Sequence, residues 1–181
     1  MKKIVAFIFS VIFASSLFAE TFDSVCENLS KHPIMTGRFS QVKTISSVNR
    51  QMKSNGTFIF SLDGIMWKTE KPFASSNQIF TSISTTLSAM FGGNAETLRA
   101  NFDVDFDVKD NLWNAKLNPK NNDVAKILKS LEISGNIAAD SADLNKIVMS
   151  EANGDKIEYT FTEQKYPKEL TVDEKAYFTA K

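Results

Sequence analysis

The chain has few of the residues on which many small enzymes and metal sites depend. Its 181 residues include one cysteine, Cys26, and one histidine, His32. A single cysteine excludes an internal disulfide. One cysteine and one histidine together are also too few ligands for a typical protein zinc site. The 21 Lys+Arg residues are balanced by 21 Asp+Glu residues. The chain therefore lacks the basic excess that nucleic-acid-binding proteins use to neutralise phosphates.

Catalytic motifs are equally scarce. His32 stands beside Pro33 at the end of a predicted helix, where we expect it to cap the helix or face solvent. The Gly92-Gly93 pair lacks the Lys and Ser or Thr that complete a phosphate-binding loop. Three aspartates alternate with apolar residues, which is typical of the wet side of a strand rather than of a calcium site. They are Asp103, Asp105 and Asp107. We predict that the chain is not an enzyme and that it has no catalytic residue, metal or cofactor. The alternative is an exported hydrolase with a nucleophile beside His32.

The first residues are typical of a secretory signal peptide. Two lysines are followed by an uncharged apolar run, residues 4–18. This run is shorter than the roughly 20 residues of a membrane helix. Cleavage after Ala19 is the first choice and cleavage after Ser16 the alternative, while an uncleaved anchor is the other interpretation. We therefore expect residues 1–19 to be removed and residues 20–181 to form one periplasmic domain.

Period-two alternation interrupted by turn residues predicts a mainly β fold with a few short helices. Strands are predicted over residues 35–45, 51–62, 64–71, 75–83, 103–108, 112–117, 131–139 and 146–151, followed by a last hairpin strand. Helices are predicted over residues 21–31, 85–91, 94–102 and 122–131. The expected architecture is one antiparallel sheet of about nine to eleven strands with three or four helices.

Two turns fix the expected strand pairing. Asp63-Gly64 predicts a two-residue hairpin turn that places Leu62 opposite Ile65. The segment at residues 152–154 predicts a three-residue loop with a glycine bulge, because only that spacing puts the apolar residues of both strands on one face.

Several short motifs occur in a recognisable order along the chain. They are Gly37-Arg38-Phe39-Ser40-Gln41, Ser54-Asn55-Gly56-Thr57-Phe58, Gly64-Ile65-Met66-Trp67 running to Pro72-Phe73, Leu112-Trp113 with Leu117-Asn118-Pro119, and Gly154-Asp155 with Tyr159 and Phe161. In this order and spacing the chain resembles the LolA family of periplasmic outer-membrane lipoprotein carriers. The resemblance covers nearly all of residues 20–181.

The resemblance implies an incomplete, strongly curved antiparallel β-barrel, covered by short helices that form a lid over a hydrophobic cavity. It implies a monomeric carrier of the acyl chains of lipoproteins, or of a related acylated lipid. The partners would be an inner-membrane release complex or exporter and an outer-membrane acceptor, with no cofactor in the carrier. The alternative is a non-carrier lipid-binding or envelope-sensing domain on the same half-barrel.

The candidate ligand-binding residues form two sets. Those on the sheet face are Phe39, Phe58, Phe60, Trp67, Ile147, Met149, Tyr159 and Phe161. Those on the lid are Leu87, Met90, Phe91 and Leu98, together with Val124, Ile127 and Leu128. Each of them could instead be a packed core residue without ligand contact.

Overall fold

The computed structural model of the chain describes residues 20–62, 64–70, 77–138 and 140–179. The predicted signal peptide lies outside the described residues. The helices are α1 (Phe22–Ser30), α2 (Asn77–Phe91), α3 (Ala95–Asn101), α4 (Asn122–Ala125) and α5 (Val172–Thr179), and a 3₁₀ turn spans Ser46–Val48. In the part of the chain that is described, none of these helices has the length and apolar character needed to cross a membrane.

The strands form one open antiparallel sheet. They are β1 (Ile34–Ile45), β2 (Arg50–Ser61), β3 (Gly64–Thr69), β4 (Phe102–Lys109), β5 (Leu112–Pro119), β6 (Leu128–Ala138), β7 (Ser141–Ala142), β8 (Lys146–Glu151) and β9 (Lys156–Lys165). The sheet has nine strands in the order β3-β2-β1-β9-β8-β6-β5-β4, with β7 paired to β6. Over the described ranges, β3 and β4 are the two edge strands of the sheet. They do not pair with each other, so the barrel is incomplete. The predicted fold class is confirmed.

One face of the sheet, which we call the inner face, packs against helices α1, α2 and α3 to form the core. Helix α1 buries an apolar stripe that includes Phe22, Val25 and Leu29, as its i, i+3, i+7 spacing predicts. Thr21 caps this helix, and its Oγ1 atom accepts a hydrogen bond from the Ser24 amide at 3.2 Å. The amphipathic pattern at the start of the described chain therefore becomes the first helix of the core.

The hairpin between β2 and β3 differs from the sequence prediction. The ladder ends at the pair Ser61–Gly64, and Phe60 rather than Leu62 lies opposite Ile65. Leu62 lies in the turn and is 68% exposed. The shift amounts to two positions, so every side chain within the ladder keeps its predicted face. Only Leu62 loses its predicted place on the inner face.

One strand prediction and one helix prediction are also wrong. The strand predicted over residues 75–83 is helix α2 from residue 77 onward, and residues 75 and 76 lie outside the described part. The helix predicted over residues 122–131 is a single turn, α4, followed by strand β6 from Leu128. Leu128 and Leu131 are both buried on β6. Burial in the sheet thus overrides the helical spacing of these apolar residues.

The predicted loop at residues 152–154 is confirmed, and a tight turn also joins the predicted strands β4 and β5. Asp110 and Asn111 both have positive φ, 51° and 64°, and connect β4 to β5. Gly154 has φ 91° in the loop between β8 and β9, where the Glu151 amide donates to the Asp155 carbonyl at 2.8 Å. Positive φ at these positions suits Asn, Asp and Gly, which explains why the sequence pattern located both hairpins correctly.

Candidate ligand-binding site

Aromatic rings from four strands meet on the inner face, and we call this group the aromatic layer. Alternation along each strand brings the rings to the same side of the sheet. The register then places Phe39 beside Phe161 and Phe58 beside Trp67. The layer consists of Phe39, Phe58, Phe60, Trp67, Tyr159 and Phe161. The four neighbouring strands β3, β2, β1 and β9 therefore each contribute at least one ring.

Trp67 is the hub of the aromatic layer. Its ring centroid lies 5.1 Å from that of Phe39, 5.3 Å from that of Phe60 and 5.2 Å from that of Tyr159. The first two contacts are edge-to-face, with interplanar angles of 82° and 68°. Trp67 is half-buried, whereas the other rings of the layer are almost completely buried. A ligand reaching the layer from outside would meet Trp67 as its most accessible ring.

Helix α2 covers the aromatic layer. The Phe91 ring at its end lies 5.7 Å from the Phe60 ring. Leu87 and Met90 of the same helix are fully buried in the same core. Helix α3 follows after a turn and contributes Leu98, and its cap is Asn94, whose Oδ1 atom accepts from the Thr97 amide at 2.9 Å. The helix predicted over residues 94–102 is therefore present, with Asn94 as its cap.

The structure brings the first set of predicted residues together. Seven of the eight sheet-face candidates belong to one hydrophobic cluster on the inner face, and the eighth, Trp67, packs against that cluster. Their role in binding stays a prediction. Within the described residues, the rings contact one another across the space for which the resemblance implies a cavity. Any ligand would have to displace some of these ring-to-ring contacts.

The second set divides. Leu87, Met90, Phe91 and Leu98 are buried under the helical cover. Leu128 belongs to strand β6 and not to a lid helix. Val124 and Ile127 are 36% and 49% exposed, so they lie at the surface. Val124 and Leu98 border a groove of about 270 Å³ between α2, α3 and α4, which falls just below the range of about 300–1,000 Å³ typical of ligand pockets.

Polar groups lie on the inner face beyond the aromatic layer. Gln41 follows Phe39 on the same side of β1 and is only 4% exposed. Lys43 comes next, with its Nζ atom 3.5 Å from the Glu151 Oε1 atom. Neither residue is among the binding residues predicted from the sequence. The available signal was the break in an otherwise apolar alternation.

Ionisable groups elsewhere are arranged for packing. Burial raises the pKa of the Cys26 thiol to about 12, and burial also raises the pKa of Tyr159. Such a thiol stays protonated and unreactive, because burial in apolar surroundings disfavours the thiolate. The His32 ring packs against the Tyr166 ring at 4.5 Å. Across the described ranges, no group of three or more His, Cys, Asp and Glu side chains could hold a metal ion.

The site and the fold define an open antiparallel half-barrel with an aromatic inner face under helices. Several solved structures are similar to the chain at low sequence identity. An outer membrane lipoprotein-sorting protein domain from Vibrio parahaemolyticus is 7% identical, with 87% of this chain and 99% of that chain covered and a TM-score of 0.39. A DUF1329 family protein from Desulfovibrio piger is 8% identical, with 87% of this chain and 95% of that chain covered and a TM-score of 0.41.

The third structure is a LolA superfamily protein from Nitrosomonas europaea. It is 9% identical, with 90% of this chain and 99% of that chain covered and a TM-score of 0.37. No family model and no curated protein matches the chain. All three likenesses are distant.

Proposed function

We propose that the protein binds acyl chains on its aromatic inner face and carries acylated lipoproteins, or a related acylated lipid, across the periplasm. The observation that supports this most is the aromatic layer itself, with half-buried Trp67 at its hub. Burying an acyl chain is worth about 0.8 kcal/mol per methylene, so a lipid with two or three chains needs a shielding protein in water. The donor would be an inner-membrane release complex or exporter, and the receiver an outer-membrane acceptor. The role involves no reaction and no cofactor.

The proposed binding step exchanges contacts within the protein for contacts with the ligand. The rings of the aromatic layer meet edge-on or tilted, and such pairs contribute only about 0.5–1.5 kcal/mol beyond the area they bury. Moving α2 would separate Phe91 from Phe60 and expose the layer. An acyl chain could then fill the opened space, with Met90 of α2 and Met149 of β8 as adaptable neighbours.

A second function is favoured by the same packing. Rings that already contact one another suit a non-carrier lipid-binding or envelope-sensing domain on the same scaffold, in which the inner face is mainly a core. The carrier and the envelope-sensing domain differ in whether a lipid reaches Trp67, whereas a non-carrier lipid-binding domain would share this contact with the carrier. This difference can be measured directly.

The chain has two tryptophans, which allows a matched experiment. Trp113→Phe leaves Trp67 as the single fluorophore, and Trp67→Phe leaves Trp113. Trp113 is fully buried, and its Nε1 atom donates to the backbone oxygens of Asn136 and Asp143, each at 3.1 Å. Titration with a bromine-labelled fatty acid should quench Trp67 strongly and Trp113 weakly, because quenching by bromine requires near contact.

Mass spectrometry of lipids that co-purify with the protein from the periplasm completes the test. An acylated lipid bound in a defined ratio, together with quenching of Trp67, would support acyl binding on the inner face, which the carrier requires. No bound lipid and no quenching in either variant would contradict acyl binding on the inner face. That result would favour the sensing domain.

A further inference from the structure

Gln41 is a buried polar residue at the margin of the aromatic layer. The strand register sets it opposite Ser54 on β2 and Tyr159 on β9. Phe39 precedes it on the same face, so the amide lies between an aromatic surface and a polar end. A glutamine that is 4% exposed needs hydrogen-bond partners for both of its amide atoms.

The structure supplies a partner for only one of them. The Gln41 Oε1 atom accepts from the Ser54 hydroxyl at 2.7 Å. The Gln41 Nε2 atom is buried and has no hydrogen-bond partner among the described residues. Exchanging the positions of the Gln41 amide oxygen and nitrogen does not solve the problem. The nitrogen would then donate to the Ser54 hydroxyl, which can accept as well as donate, and the Gln41 oxygen would be left without a partner. Leaving such a group unsatisfied is unfavourable, because its hydrogen bonds to water are lost on burial and not replaced.

The neighbouring charges restrict what could satisfy this amide. Lys43 is the next residue on the same face, and its ammonium group lies 3.5 Å from the Glu151 carboxylate. Glu151 is 8% exposed, so this ion pair is largely shielded from water. Because the two charges compensate each other, the end of the face has no net charge to attract an anion. A neutral acceptor therefore fits Gln41 better than a free carboxylate.

We propose that the Gln41 side-chain amide donates to the ester carbonyl oxygen at the head of a bound acyl chain. The chain would lie along the aromatic layer, and its ester group would end beside Gln41 and Ser54. The site would thus distinguish esterified acyl chains from chains that lack a carbonyl. This inference rests on the proposed acyl-binding function and adds the chemical group that the protein recognises.

The test compares two lipids that differ only in their carbonyl oxygens. Dipalmitoylglycerol has ester-linked chains, and dihexadecylglycerol has ether-linked chains of the same length. The wild-type protein should bind the diester about threefold to tenfold more tightly than the diether, as one recovered hydrogen bond predicts. Gln41→Met, which keeps the side-chain length, should remove this preference.

Gln51→Met is the matched control, because Gln51 is an exposed glutamine on the neighbouring strand β2. It should keep the wild-type preference. Equal affinity of the wild type for both lipids, or a preference that survives in Gln41→Met, would overturn the inference while acyl binding itself stands. Binding of neither lipid would reject the proposed function as well. The wild-type comparison decides the question even if the variant fails to fold.

Discussion

Removing the ring of Phe91 is the most direct test of how the aromatic layer is covered. Phe91 is 4% exposed at the end of α2, and its ring lies 5.7 Å from that of Phe60. Phe91→Ala should lower the free energy of unfolding by about 3–5 kcal/mol, the usual cost of deleting a buried phenylalanine. If α2 must move before a lipid binds, the same change should also favour the open form.

The size of the effect on binding follows from the contact that opening would break. One tilted aromatic pair contributes about 1 kcal/mol beyond its buried area. Phe91→Ala removes this aromatic pair from the closed form and leaves the open form unchanged. The fraction of protein in the open, binding-competent form would then rise about fivefold, and the apparent affinity would rise in the same proportion. Phe91→Ala should therefore bind a fluorescent fatty acid about fivefold more tightly, although it is less stable.

Phe22→Ala provides the control for general destabilisation. Phe22 is 2% exposed on α1, and its ring lies 6.0 Å from Phe106, a residue outside the aromatic layer. Urea unfolding should show a similar loss of stability for both variants, while the fatty-acid titration should change for Phe91→Ala alone. Weaker binding by Phe91→Ala, or equal tightening in both variants, would refute the view that Phe91 closes the face.

Three further predictions concern the rest of the fold. Since burial raises the pKa of Cys26 to about 12, iodoacetamide should label it only after unfolding, as mass spectrometry would show. The exposed ion pair with Arg99 lowers the pKa of Asp23, so Asp23→Asn should cost less than about 1 kcal/mol in urea unfolding at neutral pH. That cost should vanish as the pH falls through the lowered pKa. Gly135→Ala should lower the free energy of unfolding by more than about 2 kcal/mol, because its Cβ atom would overlap the backbone oxygen of Asp143.

Local patterns predicted the sheet well because its hairpins carry their own turn chemistry. Asp110 and Asn111 adopt the positive φ angles that their side chains tolerate, and Gly154 does the same in the next predicted hairpin. The Asp63-Gly64 pair predicted a strand register that is two positions away from the observed register. In the observed register Ser61 pairs with Gly64. Alternation cannot detect a shift of two, because it leaves each side chain on the same face.

The cover over the sheet was harder to predict because its residues satisfy more than one pattern. Leu128 and Leu131 fit a helical stripe with Val124, yet they belong to β6, where the sheet buries them. Residues 77–83 are rich in polar and β-branched residues, which favour a strand locally, and they form the first part of α2. Tertiary packing decides both segments, and a single sequence does not contain that information.

Release is the harder requirement for a carrier, and the arrangement of the aromatic layer bears on it. An inner face that stayed open and wet after unloading would hold its ligand with the full free energy of apolar burial. In this chain Phe60, Trp67 and Phe161 contact one another. Closing these contacts after the ligand leaves recovers part of the apolar burial, which weakens binding by the same amount. The packed rings would therefore limit affinity to a value from which an acceptor with a more open site can withdraw the lipid.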